Sequence, residues 1–143
     1  MPHLVILYTA QLDDETDMSA VCRHLADTML SITDEEGKPV FPIGGTRVLA
    51  YPAPHYAIAD GGAAGIHVGG SGDYGFVYLN LRMGKGRSEA VHQRVGQALI
   101  DATKHALRDV FARTHMGVTL QIDVGQEVFD AKHSTLHPLF NNH

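Results

Sequence analysis

Tyr74-Gly75-Phe76-Val77-Tyr78-Leu79-Asn80-Leu81, followed after Arg82-Met83 by Gly84-Lys85-Gly86-Arg87-Ser88, is the stretch on which the fold turns. Its first part is dense in aromatic and branched apolar residues and reads as a strand within 73–83. Its second part is a turn built on glycine, ending in Ser88, a residue type that caps helix N-termini. Beyond it, Val91, Val95, Ala98, Leu99, Ala102, Ala106 and Val110 recur on one face of a helix running to about Arg113. Val118, Leu120, Ile122 and Val124 then alternate with Thr119, Gln121 and Asp123, the period of a half-buried strand. This half of the chain reads β-α-β.

The preceding half has the same order. Residues 2–9, with the run His3-Leu4-Val5-Ile6-Leu7-Tyr8, predict a strand apolar on both faces. Asp13 to Asp17 form an acidic lead-in that favours a helix start, and Met18, Val21, Leu25, Met29 and Ile32 follow at helical spacing. A loop is expected over Asp34 to Pro39. A strand from about Thr46 to Tyr51 follows, which Pro52 and Pro54 are expected to end because proline cannot donate to a ladder.

Between the halves, 59–72 is rich in glycine and predicts a flexible loop, an insertion or a hairpin. It is not a dinucleotide fingerprint, because no β-α-β frame surrounds those glycines. The expectation is one α+β domain over 1–143, with halves at about 1–58 and 73–143. Together they form a four-stranded sheet with two helices on one face. The other face is too apolar to stay in water, which predicts association of copies. Leu136 to Phe140 is expected to form a short helical turn or a docking segment.

The 143 residues are 44% apolar and 19% charged, ordinary for one globular domain. The net charge of −5 argues against nucleic acid, which a basic face normally binds. Cys22 stands alone, so no intrachain disulfide forms, and its place in a helical pattern points to packing. No apolar run nears the ~20 residues of a membrane span. The start of the chain lacks a signal-peptide pattern, so a cytoplasmic protein is expected. The ten histidines raise the question of a metal. His133 and His137 fit one helical face, but Pro138 and the want of a third nearby ligand count against a site, and none is expected. No serine or cysteine elbow is present.

Three residues carry the candidate chemistry. Pro2 follows the initiator methionine, and removal of Met1 would make it a secondary amine tethered to a strand. Nearby cations or an apolar setting would keep that amine neutral and able to act as a base. The plain alternative is an ordinary second residue with no role. Arg87 closes a strand-to-helix turn, where a helix N-terminus and a guanidinium fork both favour a carboxylate; the alternative is a solvated turn. Arg47 enters an apolar strand and needs an anion or a route to solvent.

Pro2, the doubled β-α-β and the two arginines resemble the tautomerase superfamily. Within it, the chain is similar to the 5-carboxymethyl-2-hydroxymuconate isomerases. The resemblance runs through Phe41-Pro42-Ile43-Gly44-Gly45-Thr46-Arg47, Asp73 to Leu81, Gly84 to Ser88 and the closing His137-Pro138-Leu139-Phe140. It implies the fold of macrophage migration inhibitory factor, a homotrimer, and a cofactor-independent isomerase acting on a small carboxylated dienol. In that reading Pro2 moves the proton, and Arg47 and Arg87 hold carboxylates. It leaves as alternatives a decarboxylase or hydratase of another oxo acid, or a non-catalytic trimer that binds small anions. The glycine-rich link and the segment 34–39 are longer than the usual pattern.

Overall fold

The computed structural model describes residues 2–140. In chain order it contains β1 (His3–Thr9), α1 (Met18–Ser31), β2 (Arg47–Ala53), α2 (Ala63–His67), β3 (Gly75–Met83), α3 (Glu89–Ala106), α4 (Arg108–Arg113) and β4 (Met116–Val124). Short 3-10 turns occupy Ala10–Asp14, Ile43–Gly45 and His137–Leu139. The four strands lie in the order β2-β1-β3-β4. β1 is parallel to β2 and β3 is parallel to β4, while β1 and β3 meet antiparallel at the centre. Each β-α-β half thus contributes a parallel pair, and an approximate twofold relation passes through the β1–β3 seam.

The expected periodicities set the layers. Asp17 caps α1, its carboxylate accepting from the backbone N–H of Ser19 at 2.9 Å and Ala20 at 3.2 Å. α1 buries Met18, Val21, Leu25 and Met29; α3 buries Val91, Val95 and Leu99. These meet Leu4, Ile6 and Tyr8 of β1 and Val77, Leu79, Leu81 and Met83 of β3 in one core. Each such side chain removed from water contributes roughly 1.5–3 kcal/mol. Thr103 is also fully buried there, its hydroxyl donating to the Leu99 carbonyl at 2.7 Å.

The structure corrects several expectations. Pro52 lies inside β2 and pairs in register with Tyr8. β2 is an edge strand, where a missing N–H is tolerated. The expected single helix to Arg113 is broken at Leu107, which leaves helical geometry (φ −105°, ψ 10°) and lets Leu107 and Val110 both bury. The glycine-rich link is no hairpin: it holds α2, packed beneath Tyr74. The Gly65 N–H donates to the Tyr74 hydroxyl at 2.9 Å.

Strand alternation leaves the second sheet face uncovered by helices. Across it, in register, run the rows Arg47–His3–Arg82–Asp123, Leu49–Val5–Asn80–Gln121 and Tyr51–Leu7–Tyr78–Thr119. Leu7, Leu49 and Tyr51 are 47%, 45% and 50% exposed on it. No helix among the described residues is long and apolar enough to cross a membrane.

Candidate active site

The topology gathers four chain ends at one edge of the sheet: the starts of β1 and β2 and the finishes of β3 and β4. The register sets His3 opposite Arg47 on one side and opposite Arg82 on the other. Pro2, one residue earlier and buried, therefore sits where the chain enters β2 and leaves β3. The tail also departs from this end, the Gly125 N–H donating to the Met83 carbonyl at 2.8 Å. Met1 lies outside the described residues.

Arg87 reaches this end from the turn between β3 and α3. Its Nη2 donates to the Val40 carbonyl at 2.7 Å, and its guanidinium lies over the Phe41 ring, 5.9 Å from the centroid. Val40 and Phe41 are buried, so this half-buried arginine is held against a firm wall. Arg47 Nη1 donates to the Gly45 carbonyl at 3.1 Å. It lines a cavity of about 570 Å³ between α1, the outer side of β2 and the tail, with Cys22, Arg23, Ile43, Leu136 and Phe140 among its walls. Neither Pro2 nor Arg87 lines that cavity. The sheet end thus unites all three residues by topology, while within one chain Arg47 opens onto a different hollow.

The electrostatics of this end are recorded by His3. Its pKa lies below the usual value for histidine, because burial penalises the imidazolium and positive charges led by that of Arg47, with the amino terminus and then Arg82 behind it, add to the penalty, against a weaker pull from Asp130. His3 and Arg82 were not legible as members of this end from periodicity alone. In β3, Asn80 and Arg82 interrupt the apolar run at positions that alternate with Leu79, Leu81 and Met83, which marks a polar patch but not its neighbours in the sheet. Asn80 is buried, donates to Asp123 Oδ2 at 2.8 Å and accepts from Arg82 Nε at 2.8 Å.

Among the described residues no group of three or more His, Cys, Asp or Glu side chains could hold a metal ion. A second hollow, of about 420 Å³ and mostly apolar, lies at the opposite end of the sheet between Ile58, Val68, Tyr74, His115 and Met116. It shares no residue with the Pro2 end.

Comparison with known proteins agrees with this geometry. The family model described as 5-carboxymethyl-2-hydroxymuconate isomerase matches residues 2–140. The chain is similar to the 5-carboxymethyl-2-hydroxymuconate Delta-isomerase of Escherichia coli, with 21% identity over 98% of this chain and 99% of that one. A crystal structure of a 5-carboxymethyl-2-hydroxymuconate delta-isomerase superposes with a TM-score of 0.96 at 62% identity, covering 99% of this chain and 93% of the other. The 5-carboxymethyl-2-hydroxymuconate isomerase from Deinococcus radiodurans R1 gives 0.79 at 28% identity, over 98% and 94% of the two chains. On a match that spans nearly its whole length, with the doubled β-α-β fold of the tautomerases beneath it, this chain belongs to the 5-carboxymethyl-2-hydroxymuconate isomerase family and is a tautomerase-type isomerase.

Proposed function

We propose that this protein moves a proton within 5-carboxymethyl-2-hydroxymuconate or a closely similar carboxylated dienol, with Pro2 as base after loss of Met1. The Pro2 nitrogen takes the proton of the 2-hydroxyl group, the O–H bond breaks, and a dienolate forms. The proton then returns to a carbon further along the conjugated system, giving the keto isomer. Reactant and product have the same atoms and oxidation state, so the step calls for no co-reactant. Arg47 and Arg87 hold carboxylates and stabilise the negative charge growing on the dienolate oxygen.

The observation that carries this reading is the environment of His3. His3, beside Pro2, is pushed toward its neutral form first by burial and then by positive charges led by Arg47; a buried site with cationic neighbours is the condition an amine base requires near neutral pH. We infer further that copies assemble as a homotrimer through the uncovered sheet face. The exposed Leu7, Leu49 and Tyr51 support association through that face. The net charge of −5 supports a small-molecule partner over nucleic acid, and a cytoplasmic location belongs to the same reading.

The test is an ultraviolet assay of 5-carboxymethyl-2-hydroxymuconate with protein shown by intact mass to begin at Pro2. Wild type should ketonise it rapidly. Pro2→Ala should lower kcat by about 10²-fold or more, the scale of a lost general base, with the fold retained. Full activity in that variant would overturn the proline mechanism. A processed wild type without turnover would overturn the substrate.

A further inference from the structure

We propose that Glu35 is a positioning residue for Arg87, holding the carboxylate-binding guanidinium in place through Ser88; the inference rests on reading Arg87 as a substrate-binding residue. The segment 33–39 is strapped across the start of α3. The Ser88 hydroxyl donates to Glu35 Oε1 at 2.8 Å and accepts from the Val91 N–H at 3.2 Å, so one oxygen caps the helix and anchors the segment. Two turns along the helix, Arg94 Nη1 donates to the Thr33 carbonyl at 2.7 Å. The segment between these ties is itself set. Asp34 Oδ1 accepts from the N–H groups of Glu36 at 2.9 Å and Lys38 at 3.0 Å, and Gly37 makes the turn at φ +79°.

The consequence is a closed circuit. From the segment, the Val40 N–H donates to the Ile32 carbonyl at 3.0 Å, and the Val40 carbonyl receives Arg87 Nη2 at 2.7 Å. Arg87 is also the immediate neighbour of Ser88. Glu35, Ser88, Arg87 and Val40 therefore close a ring through two short stretches of chain, with the guanidinium pinned on one side of it. The Glu35 carboxylate stands at the N-terminus of α3, where negative charge is favoured. Its pKa lies below the usual carboxylate value, first through a hydrogen bond from its own backbone and then through the Ser88 hydroxyl. Glu35 touches none of the reacting atoms. Its effect is on where Arg87 waits and how narrowly.

The experiment compares Glu35→Ala and Glu35→Gln in otherwise wild-type and Arg87→Ala backgrounds. Glu35→Ala should raise KM for 5-carboxymethyl-2-hydroxymuconate by about threefold to fivefold, the scale of one exposed charged contact, with kcat nearly unchanged. Glu35→Gln, which keeps an acceptor for Ser88, should recover most of the loss. In the Arg87→Ala background Glu35→Ala should add nothing. Equal effects in both backgrounds would overturn the proposal, as would no effect in either. A second readout does not depend on turnover: the ¹⁵N resonance of the Arg87 Nε–H should be sharp in wild type and broadened in Glu35→Ala. An unchanged resonance would overturn the strap. Absence of turnover by wild type would instead count against the substrate, and the resonance would still decide the role of Glu35.

Discussion

Tyr8 is a buried phenol in an apolar layer, and its hydroxyl donates a hydrogen bond to Asp13 Oδ1 at 2.7 Å. Burial, then that hydrogen bond, pushes its pKa up to about 12 from the usual 10.0. The folded chain therefore holds this proton more tightly than the unfolded one. The associated stability is fully present below pH 10.0 and is lost as pH rises through about 12. Tyr8→Phe should cost about 1 kcal/mol in denaturant unfolding at neutral pH, and the loss of stability between those limits should shrink. An alkaline profile identical to wild type would show that another group governs it. At this scale Pro2, Arg47 and Arg87 were legible as types of residue suited to one chemistry. His3 and Arg82 were not, because their significance comes from which strands lie side by side, and lateral pairing leaves no mark on local spacing.

Elements were legible where a period persisted. The core-facing sides of α1 and α3 follow the apolar spacing at Met18, Val21, Leu25 and Met29 and at Val91, Val95 and Leu99, though Thr103, a polar residue outside that pattern, is buried as well, and Asp17 and Ser88 cap the two helices. Reading failed where tertiary contacts override a local rule, at Pro52 in an edge strand and at Leu107, which turns out of the helix to reach the core. The tail is a case of shape deciding docking. Its 3-10 turn sits on the turn Ile43–Gly45, and a Cβ on Gly44 would fall 2.9 Å from His137 Nδ1 and 3.2 Å from His137 Cα. The ring can swing aside but the backbone must shift. Gly44→Ala should destabilise the fold by about 1–3 kcal/mol, the scale of overpacking. It should also speed proteolytic cleavage within 126–136. A cleavage rate matching wild type would mean the tail docks without that close approach.

For the molecule as a whole, the pattern β-α-β, link, β-α-β is enough to place two helices on one side of a four-stranded sheet, because parallel neighbours need a crossover. What covers the remaining face follows from its chemistry. Its rows pass from charged residues at the Pro2 end to Leu49, Leu7 and Tyr51 further in, a mixture suited to a protein partner. Replacing Leu7 and Leu49 together by lysine should convert the proposed trimer to a species near the 15.5 kDa chain mass in light scattering. An unchanged assembly mass would place the contact elsewhere.

The twofold relation through the β1–β3 seam gives the sheet two similar ends, and the register shows what became of each. His3 stands opposite Arg47 at one end, and Gly75 stands opposite Met116 at the other. Tyr74 and His115 flank that second end, each one residue ahead of its strand, β3 and β4. Their rings meet edge to face at 6.3 Å, and α2 closes over them so tightly that a Cβ on Gly65 would come within 2.7 Å of the tyrosine ring. The doubled architecture offers one vestibule per half: one end bears the residues proposed for chemistry, and at its twin the very segment that joins the halves lines a mostly apolar hollow.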